Sequence, residues 1–338
     1  MAHRSKGKLV TARLVVACVI LGGLPPARAA GGGGKGGPSL ISLALDGREA
    51  DGASFTPAIS ADGRWVAFAS SASTLVAGDT NGAEDVFVYD RLGRTTERVS
   101  LSSAGEQGNG DSFGPAISAD GSSVAFESFS SRLVPDDTNG ALDVFVADLP
   151  TGNISRVSLA TDGGQADDRS YSPSISANGR VVAFASFANN LVPDDTNGLL
   201  DVFVRRRDQQ TTTRLSVGPG GVQSNGLSFA PVISADGTRV AFSSEASNLV
   251  PDDTNGIRDV FVASTVSAVV TRLSRGPGNK GQGNGPSLGP VVDASGALVA
   301  FASFATNLVA GDTNGQSDVF VAPSPVLKSP GGHRRTHR

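Results

Sequence analysis

Residues 79–88 have the sequence DTNGAEDVFV, and four further copies of the pattern DTNGxxDVFV follow along the chain. The five copies begin at Asp79, Asp137, Asp195, Asp253 and Asp312, at intervals of 58, 58, 58 and 59 residues. A repeat of this regularity indicates one supersecondary unit that is copied and packed against its own copies. The repeat therefore decides the fold class before any single residue is considered.

Each repeat contains four short strand signals. In the second copy they are residues 113–118 (A), 123–128 (B), 143–147 (C) and 154–159 (D), with a tight turn at 119–121 between A and B. β-branched and aromatic residues between regularly spaced turns are typical of an all-β protein. The apolar runs VAF and VFV predict strands that are covered on both faces. A four-stranded antiparallel sheet that is repeated radially is a β-propeller blade.

The two ends of the array predict how the ring closes. The last copy stops after its strand C at Asp318–Val321, whereas Leu40–Ala44 precedes the first copy and matches strand D at Val99–Leu101. The sequence thus predicts an all-β, five-bladed β-propeller of four-stranded antiparallel blades, closed by the N-terminal strand Leu40–Ala44. Such closure would remove the exposed sheet edges that promote aggregation.

Three segments of the first repeat carry a resemblance to a known family. They are ISADGRWVAFAS at 59–70, DVFVYDR at 85–91 and TTERVS at 95–100. Together they resemble the WD40-like repeat of the TolB type, whose signature is a Ser-Pro-Asp-Gly turn, an Ile-Ala-Phe strand and an Asp-Ile-Tyr-Val strand. The resemblance covers residues 39–323 and implies propeller blades, but no particular function. Two departures are Ala61, where the family has proline, and the longer B–C loop with DTNG. We expect no counterpart in these residues of the α/β domain of TolB or of the hydrolase domain of propeller peptidases.

The first 29 residues predict a secretory signal peptide. A basic start is followed by the apolar run Leu14–Leu24 and by the cleavage pattern Ala27–Ala29. We expect cleavage after Ala29 and a secreted or periplasmic protein, which would leave no cysteine because Cys18 is the only one. The predicted organisation is a signal peptide at 1–29, a Gly-rich leader at 30–38, the propeller at 39–323 and a disordered basic tail at 324–338.

Composition excludes several functions. All 32 Asp and Glu but only 19 of the 28 Lys and Arg lie between residues 30 and 327, so this part carries a net charge of about −13. Because phosphate contacts need a basic stripe, we expect no nucleic-acid partner. The three histidines, His3, His333 and His337, lie outside the repeats. Neither a Ser-His-Asp system nor a histidine-ligated zinc site can therefore form within the blades.

Paired carboxylates are the remaining route to catalysis, as in glycosidases. Glu127 stands where the other repeats have Ala or Ser, and Glu245 stands where three repeats have Phe. These two acids are the candidates for such an enzyme, but divergence between blades explains them more simply. We expect a protein that is not an enzyme and has no catalytic residues.

The DTNG loops are the stronger candidate site. Each presents side-chain oxygens at its first, third and seventh positions, and Ca²⁺ prefers six to eight oxygen ligands. The predicted calcium loops are Asp79, Asn81 and Asp85; Asp137, Asn139 and Asp143; Asp195, Asn197 and Asp201; Asp253, Asn255 and Asp259; and Asp312, Asn314 and Asp318. In the alternative interpretation the loops are only turns, held by Asx hydrogen bonds. So many like charges repel unless a cation or hydrogen bonds compensate them.

In a meander of four strands, the long B–C and D–A connections emerge at the same end of the sheet. Function on a rigid scaffold usually lies in such loops. We therefore expect a monomeric binding or scaffold module that engages an extracellular or envelope protein, peptide or glycan through the long-loop face. The alternatives are a lectin-like glycan binder and a glycosidase-like enzyme. One Trp and two Tyr provide few of the aromatic platforms that sugars favour, so a protein partner ranks first.

Overall fold

The computed structural model describes residues 37–325. The predicted signal peptide, most of the leader and all but the first two residues of the predicted tail lie outside these residues. Within them, regular structure is almost entirely β-strand, apart from two single-turn 3₁₀ helices at Pro219–Gly221 and Pro277–Asn279. No helix among residues 37–325 is long and apolar enough to cross a membrane.

Four of the sheets have four strands each, in the orders β1-β2-β3-β4, β5-β6-β7-β8, β9-β10-β11-β12 and β13-β14-β15-β16. Their bounds are Ser54–Ile59, Trp65–Ser70, Asp85–Asp90 and Thr95–Arg98 (β1–β4); Ser112–Ile117, Ser123–Ser128, Asp143–Asp148 and Asn153–Arg156 (β5–β8); Ser170–Ile175, Val181–Ser186, Asp201–Arg206 and Thr211–Arg214 (β9–β12); Ser228–Ile233, Arg239–Ser244, Asp259–Ser264 and Val270–Arg272 (β13–β16). All neighbouring strands are antiparallel. The strands A to D predicted for each repeat are thus confirmed.

The fifth repeat forms a sheet of three strands, β19 (Ser287–Val292), β20 (Leu298–Ser303) and β21 (Asp318–Pro323). A small two-stranded sheet, β17 (Arg275–Gly276) with β18 (Lys280–Gln282), lies in the connection between the fourth and fifth repeats. The all-β class and its repeated antiparallel sheets therefore agree with the prediction.

Each of the five repeat sheets contains one stacked pair of phenylalanines, one from strand B and one from strand C. In the first sheet Phe68 lies opposite Phe87, with ring centroids 5.8 Å apart. The pairs Phe126–Phe145, Phe184–Phe203, Phe242–Phe261 and Phe301–Phe320 repeat this contact. Because side chains alternate along a strand, the valines on either side of each strand-C phenylalanine face the opposite way, towards the next sheet. Both faces of strand C are therefore apolar.

Strand A lies on the inner side of the array, because strands A of successive sheets contact one another. Each strand A contains a bulge whose residue has positive φ and precedes a proline. These residues are Thr56, Gly114, Ser172, Ala230 and Gly289, with φ between 47° and 61°. Proline fits at a bulge because no ladder hydrogen bond needs its missing N–H. The bulge re-aims the start of strand A, and this positions the surface described below.

The predicted pairing of Leu40–Ala44 with the last blade is not formed, which corrects the closure prediction. Leu43 instead forms a bridge with Glu49, the same local hairpin that joins Leu101 to Gln107 in the first connection. This hairpin packs on the first sheet, where Leu45 N donates to Thr74 O (3.0 Å). Among residues 37–325, β21 has no strand on its outer edge.

Candidate functional site

The asparagine at the third position shapes every DTNG loop. In the first loop, Asn81 Oδ1 accepts a hydrogen bond from Ala83 N (3.1 Å), and its Nδ2 donates to Asp85 Oδ2 (2.9 Å). The same two bonds are made by Asn139, Asn197, Asn255 and Asn314. Each asparagine therefore forms an Asx turn, and in the first four loops the aspartates have further partners.

An arginine from strand D lies between the two aspartates in the first four loops. Arg98 Nη1 is 2.8 Å from Asp79 Oδ1 and 3.1 Å from Asp85 Oδ2, and the three side chains are 6%, 5% and 0% exposed. Arg156, Arg214 and Arg272 repeat the arrangement with the aspartates of their own loops. The guanidinium thus lies between two of the carboxylates that were assigned to each predicted calcium loop. We refer to these four units as the Asp–Arg–Asp clusters.

Serine and glutamine side chains tie each cluster to strand D and to the D–A connection. Ser100 Oγ donates to Asp85 Oδ1 (2.5 Å) and accepts from Val86 N (3.1 Å). Gln107 Oε1 accepts from Thr80 N (3.0 Å), and its Nε2 donates to Thr80 Oγ1 (3.0 Å). The other three clusters repeat both contacts. Asp85 is therefore satisfied on both oxygens despite complete burial.

Two carboxylates share one guanidinium in these clusters, so one negative charge remains uncompensated. Burial, together with the nearby Asp143 carboxylate, raises the pKa of Asp137 to about 6, although Arg156 opposes the shift. Burial and Asp259 likewise raise the pKa of Asp253 to about 6. The first aspartate of these loops therefore gains a proton well above the usual range of a carboxyl group.

The fifth loop lacks the guanidinium. Asp312, Asn314 and Asp318 keep the asparagine bonds, but neither aspartate forms an ion pair with any described residue. Asp312 Oδ1 is buried there without a hydrogen-bond partner in the described part of the chain. No group of three or more His, Cys, Asp or Glu side chains lies close enough to hold a metal within residues 37–325.

A second surface lies at the same end of the sheets, where strand A begins and strand B ends. Ser112 lies opposite Ser128, which in turn lies opposite Asp143 of the DTNG loop, so the next residues Phe113 and Phe129 are close to that loop. Their rings are 6.1 Å apart, and Phe129 is 53% exposed. We call the surface formed by Phe129, Arg169, Phe187, Phe229, Arg258 and Phe304 the inner mouth.

Two phenylalanines of the inner mouth each have an arginine guanidinium of the same sheet over the ring. The Arg169 guanidinium is 4.8 Å from the Phe187 ring centroid, and that of Arg258 is 4.4 Å from Phe229. Phe304 is 49% exposed. These phenylalanines and arginines were not among the residues predicted from the sequence, where only Trp and Tyr were considered as aromatic platforms. The signal that could have found them is phenylalanine in the segments SFS (128–130) and ASF (185–187 and 302–304), because it directly follows the last residue of strand B.

The two candidate catalytic carboxylates each have a local partner. Glu127 Oε1 accepts from Ser172 N (2.9 Å), the bulge residue of the third sheet. Glu245 Oε1 lies 2.6 Å from Arg258 Nη2, in a partly exposed ion pair. Glu127 belongs to the second sheet and Glu245 follows β14 of the fourth, with the third sheet between them. Their contacts are those of a bulge support and a surface ion pair.

No family model matches the sequence, and no curated protein matches it. Solved structures similar to this chain include TolB from Acinetobacter baumannii (17% identity, TM-score 0.43, covering 81% of this chain and 55% of TolB). They also include an oligogalacturonate lyase from Vibrio parahaemolyticus (12%, 0.48, 81% and 67%) and dipeptidyl peptidase 4 from Porphyromonas gingivalis (14%, 0.49, 83% and 39%). The chain thus spans about half the length of the TolB protein. The repeat motifs resemble the TolB-type repeat, and TolB is among these structures.

Removal of one cluster arginine should be strongly destabilising. Arg214→Met leaves Asp195 and Asp201 buried without their cation, and we expect a loss of about 3–5 kcal/mol in unfolding free energy, measured by urea denaturation. The control is Arg207→Met, because the Arg207–Asp148 pair is more exposed (20% and 34%) and should cost at most about 1 kcal/mol. Equal, small losses in both variants would contradict the role of the guanidinium.

Stability should depend on pH through Asp137 and Asp253. The pKa of both groups is about 6 in the folded state against an ordinary value of 3.8, so the folded state binds protons more tightly than the unfolded state between these two pH values. Their contribution is fully present below pH 3.8 and is lost as pH rises through about 6. The unfolding free energy of the wild type minus that of Asp137→Asn/Asp253→Asn should therefore be larger at acidic than at neutral pH. The exposed Asp208→Asn serves as the control, and a pH-independent difference for the double variant would refute the assignment.

Proposed function

We propose that this chain is an exported protein of five β-propeller blades that binds a protein or peptide partner through the inner mouth and is not an enzyme. The observation that carries the proposal is the group of exposed and arginine-stacked phenylalanines at the end of the sheets that also bears the long loops. The surrounding sheets are densely packed, so this surface is presented on a rigid frame.

The composition of the inner mouth suits protein recognition. Aromatic and arginine side chains carry most of the energy in protein interfaces, and charged groups at the rim set specificity. Phe129 and Phe304 provide the apolar anchors, and Arg169 is exposed beside Phe187. Single exposed apolar residues need no explanation, but an array of them on a loop-bearing face is typical of an interaction site.

A protein partner is favoured over a glycan by the type of aromatic residue. Sugar platforms commonly use Trp and Tyr, whose polar atoms also bond to hydroxyl groups. The inner mouth consists of phenylalanine and arginine, and Tyr171 is covered by Phe187 with ring centroids 6.3 Å apart. Glycan binding therefore remains the second candidate, to be tested with a glycan array.

A non-catalytic role fits the side chains of the blades. No histidine lies among residues 37–325, since His3, His333 and His337 fall outside them. Glu127 supports a backbone N–H, and Glu245 pairs with Arg258. A glycosidase-like mechanism would need two carboxyl groups facing one sugar ring, and these two residues belong to separate sheets.

Calcium enters the proposal at the fifth loop alone. The segment that is equivalent to strand D and its connection carries Leu40 where the clusters have arginine, and Glu49 where they have glutamine. Asp312 and Asp318 have no cation beside them among the described residues, and Asp312 Oδ1 is buried there without a hydrogen-bond partner. A bound Ca²⁺ would supply the compensating charge that the other four loops receive from arginine.

Loss of the inner-mouth anchors should abolish partner binding. We expect Phe129→Ser/Phe304→Ser to weaken capture of partners from the native secretome or envelope by at least about tenfold, because an aromatic hot spot is worth roughly 2 kcal/mol or more. The matched control is Leu92→Ser/Val266→Ser, which removes two exposed apolar residues (76% and 73%) from the opposite end of the sheets. Capture that is unaffected by the first variant, or reduced equally by both, would refute the proposed site.

Calcium should raise the melting temperature through the fifth loop. A ligand bound only by the folded state stabilises it by about 2.7 kcal/mol at a hundredfold excess over Kd, and extracellular modules bind calcium at roughly 0.1–1 mM. We expect Asp312→Asn to abolish the calcium-dependent shift and Asp137→Asn to leave it intact, with magnesium as the control ion. If the wild type shows no shift in millimolar calcium, all five loops are turns without a metal.

A further inference from the structure

The same interface joins each pair of successive sheets. The two strand-C valines of one sheet, Val86 and Val88, pack on Ile117 of strand A in the next sheet. The contact repeats three times along the chain, with Val144 and Val146 on Ile175, Val202 and Val204 on Ile233, and Val260 and Val262 on Val292. Each sheet therefore has one face with the two strand-C valines and an opposite face with the strand-A isoleucine, which is valine in the fifth sheet, and the two faces are complementary.

The two end sheets leave one half of this interface uncovered. Val319 and Val321, the strand-C valines of the fifth sheet, are 79% and 64% exposed, whereas their counterparts Val86 and Val88 are 0% and 3% exposed. Ile59 on strand A of the first sheet is 56% exposed, whereas its counterpart Ile117 is 5% exposed. These end faces carry the same apolar residue types that are buried between the other sheets, and no other sheet covers them among residues 37–325.

The backbone shows the same pair of complementary ends. Backbone hydrogen bonds join the A–B turns of successive sheets. In the first of them Ala61 N donates to Ala119 O (2.9 Å), and in the last Ala235 N donates to Ala294 O (3.0 Å). At the ends of this chain of bonds, Ala294 N lacks its acceptor and Ala61 O lacks its donor within the described residues. In the described part of the chain, the fifth sheet therefore presents an apolar face and an unpaired backbone donor, Ala294 N. The first sheet presents an apolar face and a backbone acceptor, Ala61 O, that is unpaired within the same residues.

The segment before the first sheet completes the match. Ser42 is the counterpart of Ser100, which donates to Asp85 in the first DTNG loop. Asp318 is the counterpart of Asp85 and has no serine from strand D, because β21 has no outer neighbour in the part of the chain that the structure describes. A strand formed by residues 40–43 could therefore pair with β21 and place Ser42 beside Asp318.

We propose that a second copy of this chain covers each end face, with the first sheet and the 40–43 segment of one copy seated on β21 of the other. Within one chain the two end faces do not meet, and both stay exposed. The junction would reproduce the four inter-sheet interfaces already present, in a head-to-tail arrangement. It is a heterologous contact that closes into a ring when both ends of every copy are occupied. This inference does not depend on the proposed function.

Sedimentation velocity of the full-length secreted chain tests the proposal. The wild type should sediment as a closed assembly of at least two copies over a dilution series. Ile59→Lys and Val319→Lys, each at one end, should raise the dissociation constant at least about tenfold, because either lysine would be buried in an apolar contact without a partner. Both positions are exposed within one chain, so the folded monomer should be unaffected, as checked by circular dichroism and by the control Val266→Lys.

Mixing the two variants gives the sharper result. Ile59→Lys keeps an intact valine end and Val319→Lys keeps an intact isoleucine end, so an equimolar mixture should form a dimer with one junction, although each variant alone is a monomer. A monomeric wild type would overturn the proposal and indicate that another part of the same chain covers the ends. A wild-type assembly that persists in both variants would also overturn it, because the contact would then lie elsewhere.

Discussion

The buried arginine between two aspartates is the interaction on which the repeat depends. It forms ion pairs with both carboxylates of the DTNG loop, and it comes from strand D, so the loop and the outer strand position each other. A cluster that lacked one of its ionic partners would be less stable than an apolar core, because a buried charge without a counter-charge lowers the free energy of unfolding. The serine and glutamine contacts complete the cluster, which explains why the whole set recurs four times.

The clusters hold each sheet, and the contacts between sheets are apolar. The phenylalanine pairs stabilise the interior of a sheet, and the valine and isoleucine faces join one sheet to the next. Such an array has nearest-neighbour energetics, so its stability is a sum of repeat and interface terms. Its weakness lies at the ends, where the same apolar faces have no neighbour and the proposed second copy would complete them.

The polar and the apolar parts of the loop-bearing end have different roles. In the four Asp–Arg–Asp clusters the acidic residues are engaged internally, which leaves the phenylalanines and arginines of the inner mouth as the chemistry presented to a partner. The positive-φ bulge of strand A helps to position the inner mouth, and in the third sheet Glu127 fixes this bulge by accepting a hydrogen bond from Ser172 N. The departure of Glu127 from the repeat pattern is thereby explained by backbone support.

The periodic sequence by itself determined the all-β class, the four strands of each repeat, the short turns and the common end of the long loops, because these follow from local alternation and turn chemistry. Only the tertiary structure decided the partner of each aspartate. Arg98 lies 19 residues after Asp79, and no spacing rule shows that strand D brings its guanidinium back between two loop carboxylates. The prediction of ring closure was wrong for the same reason. The match of Leu40–Ala44 to strand D shows which kind of strand the segment can pair with, but not which sheet it contacts. Which sheet it packs on depends on the curvature summed over all the interfaces between, a property that no single repeat encodes.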